Sequence, residues 1–273
     1  MLNRIKARLL QVSESPALDA QVVLAHILGC SRSWVLAHPD ISLSPAQVAG
    51  LESALARLQA GEPLPYVLGH WEFYGLDLSV SRHVLIPRPE TELLVEQALS
   101  WLRLHPARRY GLDVGTGSGC IALALAHHIP DLRLLASDLS PSALEQAQLN
   151  LRRHALQERV TCVLADLFPA LGTPFDLICA NLPYIPSDEL ARLKVGQWEP
   201  QLALDGGPDG LRLVRRFLEQ APSNLAPGGL LLAEIEANQG QAALDLARQA
   251  FPVAEIALLP DLAGKDRLVR IQS

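Results

Sequence analysis

The stretch Gly111-Leu112-Asp113-Val114-Gly115-Thr116-Gly117-Ser118-Gly119 constrains the fold more than any other part of the 273-residue chain. A short apolar strand runs into three alternating glycines, and an apolar helical run, Cys120–His128, comes at once after them. A glycine loop between a strand and a helix is the context that separates a ligand-binding turn from an accidental glycine cluster. Glycine lets the backbone turn sharply and approach a bound molecule closely. The bland alternative is a tight strand-to-helix turn with no ligand.

Beyond the loop the same strand-helix unit recurs. Strands are predicted at 132–138, 160–165, 175–181 and 230–236, with a terminal pair near 254–259 and 267–272. Helices are predicted between them at 141–154, 211–220 and 239–250. Alternation of this kind predicts an α/β fold, a parallel Rossmann-like sheet with helices on both faces. The first 60 residues instead read as helices: one run closes at Gly29 and another opens at Ser44-Pro45, with proline in the first turn. Between Phe73 and Ile86 apolar and polar residues alternate, as in Leu76, Leu78 and Val80, which predicts a small hairpin. The expected organisation is a small all-α domain over 1–72, a β-hairpin linker over 73–88 and a larger α/β domain over 89–273.

Composition narrows the function. With 49% apolar and 19% charged residues the chain is globular rather than disordered. No apolar run approaches the ~20 residues of a membrane helix. The amino terminus has no signal-peptide core, and Cys30, Cys120, Cys162 and Cys179 lie too far apart for metal ligation or a disulfide framework. A cytoplasmic protein with buried free thiols and no bound metal is expected. Residues 1–70 carry five basic and five acidic side chains, so the net charge of −6 lies entirely in the remainder. An acidic main domain is a poor fit to a nucleic-acid backbone, so no direct nucleic-acid partner is expected.

The loop's spacing points to the ligand. A dinucleotide fingerprint places its third glycine at position 120, where this chain has Cys120. Gly115-x-Gly117-x-Gly119 resembles the loop of S-adenosylmethionine-dependent methyltransferases. Twenty-one residues beyond Gly117, at the end of the next predicted strand, stands Asp138. A carboxylate there can accept hydrogen bonds from both ribose hydroxyls, although a helix cap before Pro141 is the competing role. Asp166-Leu167 closes the following strand where an adenine would lie, with a solvated loop carboxylate as the alternative. Candidate cofactor residues are therefore Asp113, Gly115, Thr116, Gly117, Ser118, Gly119, Asp138, Asp166, Leu167 and Asn181.

Asn181-Leu182-Pro183-Tyr184 ends the fourth predicted strand, at the switch point where such sheets bind ligands. An amide or aniline-like nitrogen is a poor nucleophile because its lone pair is delocalised. Two carbonyl acceptors can each take one N–H, orient the nitrogen and favour lone-pair density toward a methyl donor. The Asn181 carboxamide can supply one acceptor and the Leu182 backbone the other, with Pro183 biasing Leu182 toward an extended conformation. Tyr184 offers a flat face for a planar group. An ordinary Asn-x-Pro turn is the alternative.

Taken with 61–69 (GEPLPYVLG), 84–92 (VLIPRPETE), 112–126 (LDVGTGSGCIALALA), 180–185 (ANLPYI), 198–211 (WEPQLALDGGPDGL) and 261–271 (DLAGKDRLVRI), the chain resembles the bacterial release factor glutamine N5-methyltransferases, also called the HemK family. The resemblance implies a helical substrate-binding domain, a hairpin linker and a class I methyltransferase domain. It also implies the reaction: methyl transfer from S-adenosylmethionine, leaving S-adenosylhomocysteine, to the glutamine amide of the Gly-Gly-Gln loop in class 1 peptide chain release factors, so modulating translation termination. By the same resemblance the Gly115–Gly119 loop, Asp138 and Leu167 line the cofactor and Asn181 to Tyr184 hold the glutamine. Arg88, Glu90 and Thr91 would frame the pocket, with interdomain packing and capping as their alternative. The family's usual tetrapeptide is Asn-Pro-Pro-Tyr, so Leu182 is a departure. The long 185–210 segment is of a length associated with lids and binding loops, and contact with the protein substrate is its expected role. Two rivals remain: an adenine N6-methyltransferase acting on nucleic acid, which would need a positive strand-holding surface, and a non-catalytic binding module that kept the fold.

Overall fold

A computed structural model describes all 273 residues, which fall into two compact units, Met1–His70 and Trp71–Ser273. The first is all helical: α1 Leu2–Leu9, α2 Pro16–Leu28, α3 Arg32–Ala37, α4 Pro45–Gln59 and α5 Leu64–Leu68. Local chemistry sets its boundaries. Gly29 takes a left-handed φ of 64° and its N–H closes α2 on Ala25 and His26. Ser44 and Gln47 form a reciprocal capping box at the start of α4, with Pro45 in the first turn. Ile5, Leu9, Val23, Leu24, Leu51 and Leu55 make a core of their own.

Across the boundary between the units lies a short hairpin, β1 His70–Phe73 and β2 Leu76–Ser79, turning at Tyr74-Gly75. The alternating pattern over 80–86 predicts further strand, and the structure has none there. Val80, Val84 and Ile86 are buried, but side chains take over backbone bonding that a strand would supply. Asn150 Oδ1 accepts the N–H of Ser79, the last residue of β2, at 2.7 Å, and within 80–86 Glu199 Oε2 accepts the Ile86 N–H at 3.0 Å.

The second unit continues with a 3₁₀ turn Pro89–Thr91, α6 Glu92–Leu104, β3 Tyr110–Val114, α7 Cys120–His128, β4 Arg133–Asp138, α8 Pro141–Arg153, β5 Val160–Leu164 and β6 Phe175–Asn181. A two-strand ribbon, β7 Ile185–Pro186 with β8 Asp205–Gly207, brackets the short α9 Ser187–Leu190. Then come α10 Arg212–Gln220, β9 Leu225–Glu234, α11 Gly240–Ala250, β10 Glu255–Pro260 and β11 Asp266–Gln272. The main sheet has seven strands in the order β10-β11-β9-β6-β3-β4-β5, all running the same way except β11, which is antiparallel to both its neighbours.

Alternation along the central strands divides the core between two faces. Leu177, Cys179, Leu230 and Leu232 pack with α6 and α7, and Ile178, Ala180, Leu231 and Ala233 pack with α10 and α11. The strands β3, β6 and β9 are nearly continuous apolar runs because both faces are covered. No helix is long and apolar enough to cross a membrane, and no group of three His, Cys, Asp or Glu side chains could hold a metal ion.

Candidate active site

At the carboxyl ends of the parallel strands the chain leaves a cavity of ≈ 640 Å³. The glycine loop after β3, Asp138 after β4, Asp166-Leu167 after β5 and Asn181-Leu182-Pro183 after β6 line it. Its remaining wall includes 83–85, Pro87, Arg88, Thr91, residues 200–203 of the long loop, and Arg212 and Arg216 of α10. One buried carboxylate joins two of these walls. Glu199, 5% exposed, accepts from the Ile86 N–H and pairs with the Arg88 guanidinium, so the 185–210 segment is fastened to 84–88. Beside it, the Arg82 guanidinium lies 4.4 Å from the Trp198 ring centroid.

The three glycines divide their work. Gly115 and Gly117 line the cavity with φ of 70° and 55°. A Cβ on Gly117 would meet almost nothing, whereas one on Gly115 would sit 3.2 Å from Leu182 Cδ2. Gly119 does not line the cavity; a Cβ there would stand 2.6 Å from Leu123 Cδ1 and 3.3 Å from Ala147 Cβ, so it serves close packing of α7 on α8. Asp113 lies beneath the loop, fully buried. Its Oδ2 accepts from Thr116 Oγ1 at 2.6 Å and from the Ala122 N–H at 3.2 Å, while Oδ1 has no partner. Burial pushes its pKa up to about 7.

Asp138 is held at the cavity edge by its own backbone neighbours. Oδ2 accepts from the Gly117 N–H at 2.9 Å and Oδ1 from the Ser140 N–H at 2.9 Å. Each oxygen keeps a lone pair for an incoming hydroxyl. Desolvation raises its pKa against those bonds. Leu167 sits at a left-handed φ of 68°, fixed by Ser137 Oγ donating to its carbonyl at 2.8 Å. Asp166 also lines the cavity and is paired with Arg216 at 2.8 Å, a contact absent from any sequence pattern.

In the tetrapeptide, Asn181 Nδ2 donates to Thr91 Oγ1 at 2.9 Å, leaving Oδ1 as the group without a protein partner. Neither the N–H nor the carbonyl of Leu182 makes a hydrogen bond within the protein, while its side chain is buried against Val114 and Ile178. Tyr184 is not part of the lining. Its carbonyl accepts from Gln239 Nε2 at 2.9 Å, and burial, with the Glu234 carboxyl nearby, raises its phenol pKa. Of the three residues expected to frame the pocket, Arg88 and Thr91 line it, and Glu90 is exposed and does not.

Glu234 is the group no motif announced. It ends β9 in register with Asn181, is 2% exposed, and neither carboxyl oxygen has a hydrogen-bond partner. Burial pushes its pKa up to about 7, opposed first by the Thr91 hydroxyl, then by Arg267 and the Tyr184 hydroxyl. Both hydroxyls face the carboxyl without meeting hydrogen-bond geometry. A lone acid in the otherwise apolar strand 230–235 is the only hint the sequence offers.

Known proteins are similar to most of the chain. The description PrmC N-terminal domain matches residues 1–69, and Methyltransferase small domain matches 90–196. A release factor glutamine methyltransferase of Moorella thermoacetica is 46% identical over 257 residues, 93% of this chain and 90% of its own. One of Bordetella pertussis is 43% identical, covering 93% of each chain. The chain belongs to the release factor glutamine methyltransferase family. Solved structures agree on the fold alone: the human Mettl16 catalytic domain with an MAT2A 3′UTR hairpin has a TM-score of 0.55 at 13% identity, over 83% of this chain and 80% of that one. A Pyrococcus furiosus methyltransferase gives 0.52 at 16% identity, over 83% and 96%.

As a member of the release factor glutamine methyltransferase family, the chain is an S-adenosylmethionine-dependent methyltransferase. The cavity fits that donor. It pairs a carboxylate with two spare acceptor sites, Asp138, with apolar walls from Ile121, Leu139, Ala143 and Leu167 suited to a flat base. The open space over Gly117 leaves room for a ligand against the backbone.

Proposed function

We propose that the chain methylates the side-chain amide nitrogen of the glutamine in the Gly-Gly-Gln loop of class 1 release factors, with Asn181 to Pro183 as the amide-handling segment. The observation that carries this reading is the pairing of two unengaged acceptors at the cavity wall, Asn181 Oδ1 and the Leu182 carbonyl, beside the cofactor residues. S-adenosylmethionine supplies a methyl group on a cationic sulfur. Everything else is positioning. Each acceptor takes one N–H of the primary amide, which fixes the nitrogen's rotation and offsets its loss of conjugation as the N–CH₃ bond forms, the donor's S–CH₃ bond breaks and one N–H proton passes to solvent. Pro183 keeps Leu182 extended, so the backbone acceptor is aimed without help from a side chain. The Glu199–Arg88 clasp fastens the long loop over the site and limits water.

We assign the grip on the release factor to the helical 1–72 segment, joined through 73–88 to a catalytic 89–273 segment. Its separate core and its own family match support that division. The net charge of −6 supports a protein rather than a nucleic-acid substrate, and a cytoplasmic setting follows from a partner in translation.

The test is incubation with labelled S-adenosylmethionine and either a purified release factor or nucleic acid, followed by mass mapping. Label on the Gly-Gly-Gln glutamine is the expected result. Label on nucleic acid alone would overturn the reading.

A further inference from the structure

The catalytic wall has a weak point at Asn181. A carboxamide has an acceptor and a donor end of nearly the same shape, and only Oδ1 toward the cavity can receive a substrate N–H. Asn181 is held at its other end by a single group, the Thr91 hydroxyl, which can either donate or accept. Its choice decides which end of Asn181 faces the substrate.

We propose that Glu234 is a positioning residue for methyl transfer: its carboxylate draws the Thr91 hydroxyl proton toward itself, so that Thr91 can only accept from Asn181 Nδ2 and Oδ1 is kept toward the cavity. The inference rests on the reading of Asn181 as the substrate acceptor. Register places Glu234 beside Asn181 across β6 and β9, and Thr91 touches Asn181 on one side while facing Glu234 on the other. Hydrogen bookkeeping then settles the orientation. Thr91 has one hydroxyl proton. Given to Glu234, it leaves only lone pairs for Asn181, which must present Nδ2 to them. When Glu234 is itself protonated, its O–H donates to Thr91, whose proton turns toward Asn181. The carboxamide flips and presents Nδ2 to the cavity, opposing the substrate N–H.

A buried carboxyl with both oxygens unpartnered is otherwise a pure cost to the fold. The groups around it are Arg267 on β11, which favours its ionised form, Glu90 on the 89–91 turn, which opposes it, Tyr184 after β6 and Cys120 at the start of α7, with Glu236 just past β9 acting on Tyr184 and Arg267. Burial pushes the Cys120 thiol up to about 12 and raises the Tyr184 phenol, so neither changes charge between pH 5 and 9. Glu234, near 7, does. Asp113, also about 7, is the other buried carboxyl that titrates in this range.

The experiment is the single-turnover rate of the full chain with release factor and saturating S-adenosylmethionine between pH 5.5 and 9. For the wild type the rate falls below about pH 7 toward a floor about tenfold lower and is level above it. Glu234→Gln is expected to be about tenfold slower at pH 8 and to lose that acidic limb, with cofactor affinity within about twofold of wild type. Thr91→Val should give the same loss, Thr91→Ser should recover most of the rate and the limb, and Glu234→Gln should cost nothing further in the Thr91→Val background. Should Glu234→Gln not fold, the Thr91 pair carries the test through the same limb. A Glu234→Gln enzyme with wild-type rate and limb, or a Thr91→Val enzyme with an intact limb, would overturn the proposal and assign the titration to another group such as Asp113. Failure of the underlying reading shows separately, as undiminished activity in Asn181→Ala.

Discussion

Asp138 Oδ2 accepts the Gly117 N–H at 2.9 Å, so the carboxylate at the end of β4 holds the glycine loop as well as facing the cavity. With Asp138 read as the ribose acceptor, Asp138→Ala should remove two contacts to the donor, each to a charged acceptor worth ~1.5–3 kcal/mol, and loosen the loop. Calorimetric titration should show the dissociation constant for S-adenosylmethionine rising ~10²-fold or more. Asp138→Asn, which keeps one acceptor oxygen, should fall between. An unchanged constant in the alanine variant would place the ribose elsewhere.

Asn181→Ala should lower the methyl-transfer rate by ~10²–10³-fold while cofactor binding persists, because it removes a preorganised acceptor and nothing that Asp138 or Gly117 does. Rates with a release factor, alongside cofactor titration, check both halves. A loss of binding equal to the loss of rate would assign Asn181 to the cofactor.

Leu182→Pro should keep the rate within about tenfold, a barrier change of ~1.4 kcal/mol. Proline retains the carbonyl, and the N–H it removes makes no hydrogen bond. The buried leucine side chain is lost, so thermal stability should drop even as activity survives. Pro183→Ala should slow the reaction more, because it frees the Leu182 carbonyl to rotate. The reverse order of rates would exclude a backbone acceptor.

Asp113 gives a pH dependence of stability with a definite sign. Its pKa is raised from an ordinary 3.8 to about 7, so between those values the folded chain holds a proton that the unfolded chain has released. Stability therefore falls as pH rises across that window. Asp113→Asn removes the titrating group, so the melting temperature of the variant relative to wild type should climb from pH 5 to pH 8. A difference independent of pH would mean the carboxyl is ionised throughout.

Gly117→Ala and Gly119→Ala separate binding from packing. Both positions have left-handed φ, which costs ~1–2 kcal/mol with a Cβ. At Gly119 the new methyl also strikes Leu123 and Ala147, so the melting temperature should fall furthest there. At Gly117 it enters the open cavity, and cofactor affinity should fall furthest there.

How much of the molecule is legible in its sequence depends on the range of each interaction. Gly29, Ser44-Pro45 and the Gly115–Gly119 loop announce their elements because backbone torsion and capping act within a few residues. Likewise the apolar runs of β3 and β6 give a doubly covered parallel sheet, and Asp138 and Asn181 are found by counting to strand ends. The hairpin pattern overruns at 80–86 because burial and strand pairing leave the same alternation in a sequence. At the end of β2 and at Ile86 the backbone N–H groups go instead to Asn150 and Glu199, 71 and 113 residues away. Tertiary structure alone decided that Gly119 packs a helix, that Tyr184 turns toward Glu234 rather than into the cavity, and that Thr91, Asn181 and Glu234 meet. Sequence sets torsions and periodicity, which are local. Which carboxyl is stripped of water, and which hydroxyl it finds there, depends on strands 53 residues apart lying side by side in register.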